Sequence, residues 1–200
     1  SLYRVFPWYF WGGLVAAVFL GMVVVAGSVH YGDRSDRSWV FGVALIAVSG
    51  CLVVSMPYVR GYPVYGRGDV LTHVGFVHDI AAVGLAGNIY PLIHVLAHAL
   101  SHATGLRTAT VVDLLPVAMA LVFLGGLFYL ARGIYSRTHA LYALPFVLVL
   151  VLSLRQAKPF ALSTLYVPFV LYLFVREQRT SAIPVRVLLV VSVFGVVLYH

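Results

Sequence analysis

The chain consists of long apolar runs separated by short connections that hold most of its arginines. A helix needs roughly 17–25 apolar residues to cross about 30 Å of hydrocarbon, and five uncharged runs meet this requirement. They cover residues 10–29, 38–59, 114–131, 138–154 and 159–175, and a sixth run begins near Val187. The pattern predicts an all-α, polytopic transmembrane helical bundle of about six spans. Because the chain begins at Ser1 and stops inside the sixth run, we expect a fragment of a longer protein with a single transmembrane domain.

The composition of the chain also indicates a membrane protein. Apolar residues make up 62% of it and charged residues only 10%, whereas about a quarter of the residues in a soluble domain are charged. The net charge of +7 would suggest a nucleic-acid partner in a soluble protein. Here the basic residues lie between apolar runs, as topology signals and lipid headgroup contacts do. We therefore expect membrane lipids, and no nucleic acid, as partners.

One connection, residues 60–113, differs from the others because it is long and holds five of the eight histidines. Its periodicity predicts two amphipathic juxtamembrane helices that lie along the membrane surface or dip into it. The first extends from Asp69 to about Ala86. The second begins at Pro91, which suits a first helical turn, and ends at Gly105, which suits a helix C-terminus.

The basic residues predict an orientation for the bundle. Seven of them lie on one side of the predicted membrane and six on the other, and the seven all lie in short connections. The positive-inside rule applies to short connections. We therefore expect a multi-pass protein of the plasma membrane with residues 60–113 facing outside.

The first predicted juxtamembrane helix gathers polar side chains. At about 100° per residue, Asp69, Thr72, His73 and Asp79 fall within an arc of about 120°. Such an arc predicts a carboxylate–imidazole cluster in which Asp69 acts as a general base or metal ligand and His73 orients it. The alternative is that Asp69 caps the helix and the other polar residues face the lipid headgroups.

The second predicted helix carries histidines at every fourth position. His94, His98 and His102 form one stripe, and two imidazoles at this spacing can share a divalent metal ion. A divalent metal is therefore a candidate cofactor, with Asp69, His94 and His98 as candidate ligands. The stripe equally suits a polar surface at the membrane interface, where histidine is mostly neutral.

Two further features flank or follow this segment. Arg60 and Arg67 precede the first juxtamembrane helix, and they could hold a phosphate through charge-assisted hydrogen bonds. Ordinary headgroup contacts explain them equally well. The Gly125-Gly126 pair lies in an apolar run, and we interpret it as a helix-packing device.

The motif Gly68-Asp69-x-x-x-His73, followed by an amphipathic helix and Tyr90-Pro91-x-x-His94 directly after an early span, resembles the GT-C superfamily. Its members are polytopic membrane glycosyltransferases that use sugars linked to polyprenyl phosphate. Their first large external loop contains two juxtamembrane helices, with a catalytic aspartate near its start. The likeness covers roughly residues 38–129. It departs in two respects, since Val70 stands where many members have glutamate and residues 10–29 add an early span.

The resemblance implies transfer of a sugar from a polyprenyl-phosphate donor to an acceptor at the outer face of the membrane. Asp69 would be the catalytic base, with His73 beside it. The residues expected to bind substrate are Arg60, Arg67, Asp79, Tyr90 and His94. Of these, the arginines would stabilise the departing phosphate, and the apolar spans would form a groove for the polyprenyl tail.

Two other classes of membrane protein fit the polar segment. A histidine-rich metalloenzyme would explain five histidines in one connection, although no further histidine cluster follows it. A transporter or channel could use an aspartate–histidine proton relay. Transporters often consist of two related halves, and the chain has no internal repeat.

Overall fold

The computed structural model describes residues 4–31, 37–62, 69–84, 91–154 and 157–199. Over these residues the regular secondary structure is entirely α-helical. The helices are α1 (Trp8–His30), α2 (Ser38–Val59), α3 (Asp69–Val83), α4 (Pro91–Thr104), α5 (Thr108–Ile134), α6 (Arg137–Ser153), α7 (Pro159–Thr180) and α8 (Ile183–Tyr199). The predicted all-α fold class is thereby confirmed.

Four of the described helices are long and apolar enough to cross a membrane. They are α1, α2, α5 and α7, which have 22 to 27 residues each. Their apolar outer surfaces would be exposed to water in a soluble protein, which is unfavourable. The four helices therefore indicate a membrane protein. α6 and α8 cover the predicted fourth and sixth spans with 17 residues each.

Several helices extend beyond the apolar runs that predicted them. α5 begins at Thr108 rather than 114, so Asp113 lies in its second turn and not in the preceding connection. α7 continues to Thr180, and α8 begins at Ile183, earlier than the expected Val187. An uncharged run indicates the part of a helix that can lie in hydrocarbon, whereas backbone hydrogen bonding continues into the polar headgroup region.

α3 is instead shorter than predicted. It ends at Val83 and not near Ala86, because Gly84 adopts a left-handed backbone with φ of 75° and donates its N–H to the carbonyl of Ile80. Glycine tolerates this conformation and commonly terminates helices in this way. The predicted end of α4 is confirmed, since Gly105 has a φ of 69° and bonds to the Ser101 carbonyl.

Glycines set the closest helix contacts. α1 and α2 form an antiparallel hairpin in which a Cβ on Gly21 would lie 2.6 Å from the Gly42 carbonyl oxygen, and one on Gly42 would lie 2.7 Å from that of Gly21. α5 packs against α2, α6 and α7 and also supports α3 and α4. At its crossing with α7, a Cβ on Gly126 would lie 2.7 Å from the backbone nitrogen of Phe169. Small residues at such crossings let helix backbones approach closely.

The bundle has two ends with different chemistry. We call the end that carries α3, α4, the start of α1 and the last turn of α2 the histidine end. There the guanidinium carbon of Arg60 lies 5.8 Å from the centre of the Phe6 ring. The arginine end contains the last turns of α5 and α7 and the first turn of α2. There Arg137 lies over the ring of Trp39 at 5.3 Å.

Candidate functional site

α3 presents one buried face and one exposed face. Val70 and Val77 are fully buried, and His73 lies beside them with 4% of its surface exposed. Thr72 and Asp79 are exposed instead. The predicted polar arc therefore divides, because the packing of α3 against α4 and α5 buries only the side of the arc that includes His73.

The histidine stripe of α4 divides in the same way. His94 is completely buried between Ile93 and Ala97, which face the core. His98 is half-buried, and His102 is exposed. Positions four residues apart drift by about 40° on a helix, so the stripe turns away from the core as it approaches the end of α4. Only its first member lies in the protein interior.

His73 and His94 contact each other. Nδ1 of His73 and Nε2 of His94 lie 2.9 Å apart, and the ring centres are 5.1 Å apart. A neutral imidazole has one N–H donor and one acceptor nitrogen, so one ring donates to the other. The ring of Phe76 packs beside the pair, with its centre 5.2 Å from that of His94. The contact joins two halves of the sequence motif that are 21 residues apart.

The environment of the pair favours the uncharged form of His94. Burial, and secondarily the charge of a protonated His73, lower the pKa of His94 from 6.5 to about 4. A cation is costly to bury, and two adjacent imidazolium groups repel each other. His94 is therefore neutral at physiological pH and acts through hydrogen bonding.

We expect the folded protein to lose stability as the pH falls from about 6.5 to about 4. In this range the unfolded chain takes up a proton at His94, whose pKa is about 4 in the folded protein, so the equilibrium shifts toward unfolding. The expected loss is on the order of 2–3 kcal/mol. Thermal unfolding of the purified protein across this pH range measures it. His94→Gln should reduce the pH dependence, whereas replacement of the exposed His102 by Gln should retain it. An unchanged dependence in His94→Gln would contradict the expectation.

Arg60 has unusual surroundings for a residue at the end of a span. Its side chain is half-buried, and its Nη1 is buried without a hydrogen-bond acceptor among the residues described. A buried N–H without an acceptor costs free energy, and an anionic oxygen is its strongest acceptor. Arg60 is thus suited to an anionic group at the histidine end.

Some predicted site residues lie where the structure gives no account of them. α3 begins at Asp69, one turn before His73, but the Asp69 side chain lies outside the described part of the chain, as do Arg67 and Tyr90. Within the described ranges, no three potential ligands come together to hold a metal ion. The metal ligands Asp69, His94 and His98 therefore stay a prediction.

An apolar cavity of about 530 Å³ lies beside α4, between this helix and α5, α7 and α8. Leu92 and Leu96, on either side of His94 along α4, form one wall, and Met119 of α5 and Phe194 of α8 form others. Tyr166 also lines it and donates its hydroxyl hydrogen to Ser192 Oγ at 3.0 Å. The walls are mostly hydrocarbon, so the cavity suits an apolar chain better than a sugar.

Two groups at the histidine end were missed in the sequence. Phe76 has no place in the predicted polar arc, but its ring lies against both imidazoles. Asp113 was assigned to the connection, whereas it is half-buried within α5. The sequence signal for Asp113 was its position directly before a long apolar run. If the helix begins before the apolar run, as α5 does at Thr108, Asp113 becomes part of the helix and lies against the bundle.

The comparisons with known proteins find no match for this chain among protein-family models, curated proteins or solved structures. Its functional interpretation therefore depends on the residues of the motif and on the chemistry of the histidine end.

Proposed function

We propose that the protein is a GT-C-type membrane glycosyltransferase that moves a sugar from a polyprenyl-phosphate donor to an acceptor at the outer face of the plasma membrane. In this proposal α6 and α8 complete a bundle of six spans. α3 and α4 are juxtamembrane helices on the outer side, and the arginine end faces the cytoplasm, in agreement with the positive-inside rule.

The observation that carries the proposal is the contact between His73 and His94. The resemblance requires the Asp69-x-x-x-His73 and Pro91-x-x-His94 halves of the motif to meet at one site. Their imidazoles are buried against each other, although an amphipathic surface helix would expose its histidines to the headgroups. This burial supports a role in a site over a role at the membrane surface.

Arg60 and the apolar cavity support the proposal that the sugar donor is a polyprenyl phosphate. A polyprenyl-phosphate sugar combines an anionic phosphate with a long hydrocarbon tail. Arg60 offers a buried guanidinium N–H without an acceptor among the described residues. The cavity of about 530 Å³ beside α4 has apolar walls that suit the first isoprene units of such a tail.

The reaction follows from these roles. Asp69 would remove the proton from the acceptor hydroxyl as its oxygen attacks the anomeric carbon. The bond between that carbon and the phosphate oxygen then breaks, and polyprenyl phosphate leaves with the bonding electrons. Arg60 and Arg67 would stabilise the negative charge that grows on the phosphate. The neutral His94 and its partner His73 are buried, so they would hold α3 against α4 and thereby fix the position of Asp69 at the start of α3.

Sugar transfer by the reconstituted full-length protein tests the proposal, with labelled polyprenyl-phosphate sugars in liposomes and acceptor-containing membrane extract. We expect Arg60→Gln to lower kcat/KM for the donor by about tenfold to a hundredfold, the effect of losing a charge-assisted hydrogen bond. Arg60→Lys should restore part of the loss. Arg107→Gln removes an exposed charge near the start of α5 and should not change the rate. Failure to consume any donor would contradict the proposal.

The His73–His94 hydrogen bond also favours a second candidate, a transporter that moves protons along a relay. Proton flux across proteoliposomes separates the two functions. A relay predicts that His73→Gln abolishes proton flux in the absence of any sugar donor. A glycosyltransferase predicts that the wild-type protein carries no such flux.

A further inference from the structure

The arginine end contains a second cavity that the proposed glycosyl transfer does not use. α5 and α7 approach each other closely where Gly126 meets the backbone of Phe169. Beyond this crossing, a cavity of about 330 Å³ lies between the C-terminal parts of the two helices. Arg132 of α5 and Arg176 and Arg179 of α7 line it. The cavity is thus bounded by three guanidinium groups from two helices.

Tyrosines form the inner wall of this cavity. The rings of Tyr129 and Tyr172 lie 5.4 Å apart and both line it. Arg176 donates an N–H to the hydroxyl of Tyr172, and its guanidinium carbon lies 5.9 Å from the centre of that ring. This contact holds Arg176 at the cavity, although the side chain is otherwise exposed.

The positive charge of the cavity is not balanced by the carboxylate nearest to it in sequence. Glu177 accepts hydrogen bonds from Nε and Nη2 of Arg186, at 3.0 and 2.9 Å, which ties α7 to α8. α7 packs chiefly on α5 and α8. In the described parts of those helices the other carboxylate is Asp113, near the opposite end of α5. Among the described residues of these three helices, no carboxylate accompanies the three arginines that line the cavity.

The helix dipole explains only part of this arrangement. Cations near a helix C-terminus are weakly favoured at exposed sites. Their mutual repulsion across a shared cavity opposes this gain, and an anion between them would remove the repulsion. Guanidinium groups match the oxygen atoms of phosphate in pairs, and tyrosine hydroxyls add further donors.

We propose that this cavity binds a phosphate group at the membrane surface. Exposed apolar residues on α7, Leu171 and Phe174, indicate that the adjoining helix surface faces lipid, and tyrosines are typical of the headgroup level. The phosphate could therefore belong to the headgroup of an acidic phospholipid or be free inorganic phosphate. The site is independent of the glycosyltransferase assignment, because it lies at the other end of the bundle.

Binding of phosphatidic acid by the full-length protein in phosphatidylcholine nanodiscs tests the lipid source. We expect the double variant Arg132→Gln/Arg176→Gln to bind this lipid at least about tenfold more weakly, since charge-assisted hydrogen bonds to phosphate are lost. Arg132→Lys/Arg176→Lys keeps the charge but not the paired donors, so we expect intermediate affinity. Arg107→Gln removes one exposed charge at the other end of α5 and should bind as the wild type does.

Inorganic phosphate tests the soluble source, by thermal unfolding in phosphatidylcholine nanodiscs at constant ionic strength. Stabilisation by phosphate that is lost in the double glutamine variant supports a free phosphate. Binding of phosphatidic acid without stabilisation by phosphate supports a lipid headgroup. The proposal is overturned if neither probe binds, if the double glutamine variant binds as the wild type does, or if Arg107→Gln weakens binding equally. In the last case the affinity for the lipid depends only on the net charge of the protein.

Discussion

Asp69→Asn should abolish sugar transfer while donor binding survives. If Asp69 is the general base of the proposed reaction, the amide can still form hydrogen bonds but cannot accept the acceptor's proton. Loss of a general base typically costs about 10²–10⁴ in rate. The initial rate of transfer from a labelled polyprenyl-phosphate sugar measures the first effect, and equilibrium binding of the same donor measures the second. We expect the rate to fall by this factor and the dissociation constant to stay within about threefold of wild type.

Asp36→Asn is the matched control for this prediction. Asp36 lies in the sequence between α1 and α2, far along the chain from the motif, and its replacement removes the same charge. We expect it to transfer sugar at the wild-type rate. Transfer near wild type in Asp69→Asn would show that the catalytic assignment is wrong. Joint loss of donor binding and thermal stability would indicate instead that Asp69 caps α3, since loss of an N-cap destabilises a helix by about 1 kcal/mol.

Gly126→Ala should destabilise the bundle, whereas Gly125→Ala should not. A Cβ on Gly126 would lie 2.7 Å from the nitrogen and 3.0 Å from the Cα of Phe169, while a Cβ on Gly125 would meet nothing within 4 Å. Backbone atoms cannot rotate away as a side chain can, so α5 and α7 must separate. Overpacking of this kind typically costs about 1–3 kcal/mol. Alanine at 125 should be neutral or stabilising by up to about 1 kcal/mol, because alanine favours the helix more than glycine does.

Thermal unfolding of the two variants in the same detergent measures this difference. The substitutions are chemically identical and adjacent in sequence, so effects on expression, detergent binding and helix propensity are closely matched. Equal midpoints would contradict the close contact of α5 with α7. The prediction is independent of any function, because it concerns only the crossing of two helices.

The fold class could be predicted from the sequence because a helix that crosses a membrane needs an apolar run as long as the hydrocarbon is thick, and several runs have this length. All eight described helices overlap segments that were expected to be helical, and the four longest have the length and composition of membrane spans. Helix ends were less predictable. Arg186 belongs to α8 and bonds to Glu177 of α7, although its charge suggested a connection. A charge marks the limit of the hydrocarbon region and not the limit of backbone hydrogen bonding.

The candidate site was predictable only in part. His73 and His94 were chosen from a motif, and the structure brings their imidazoles into contact. Helical periodicity alone did not distinguish His73 from the exposed Asp79, or His94 from His98 and His102. Which part of a polar arc becomes buried depends on the direction from which the neighbouring helices approach it.

Local chemistry by itself determined that this chain is an all-α membrane protein with a polar segment between two of its spans. It also indicated the end of α4, since Gly105 terminates that helix through a backbone conformation that glycine adopts readily. Helix packing, in contrast, brings His73 and His94 into a buried contact, places Gly126 and not Gly125 at the helix crossing, and lets three arginines line one cavity. These features join residues of different helices, and helix packing is set by the fit of whole surfaces rather than by the residues near each position in sequence.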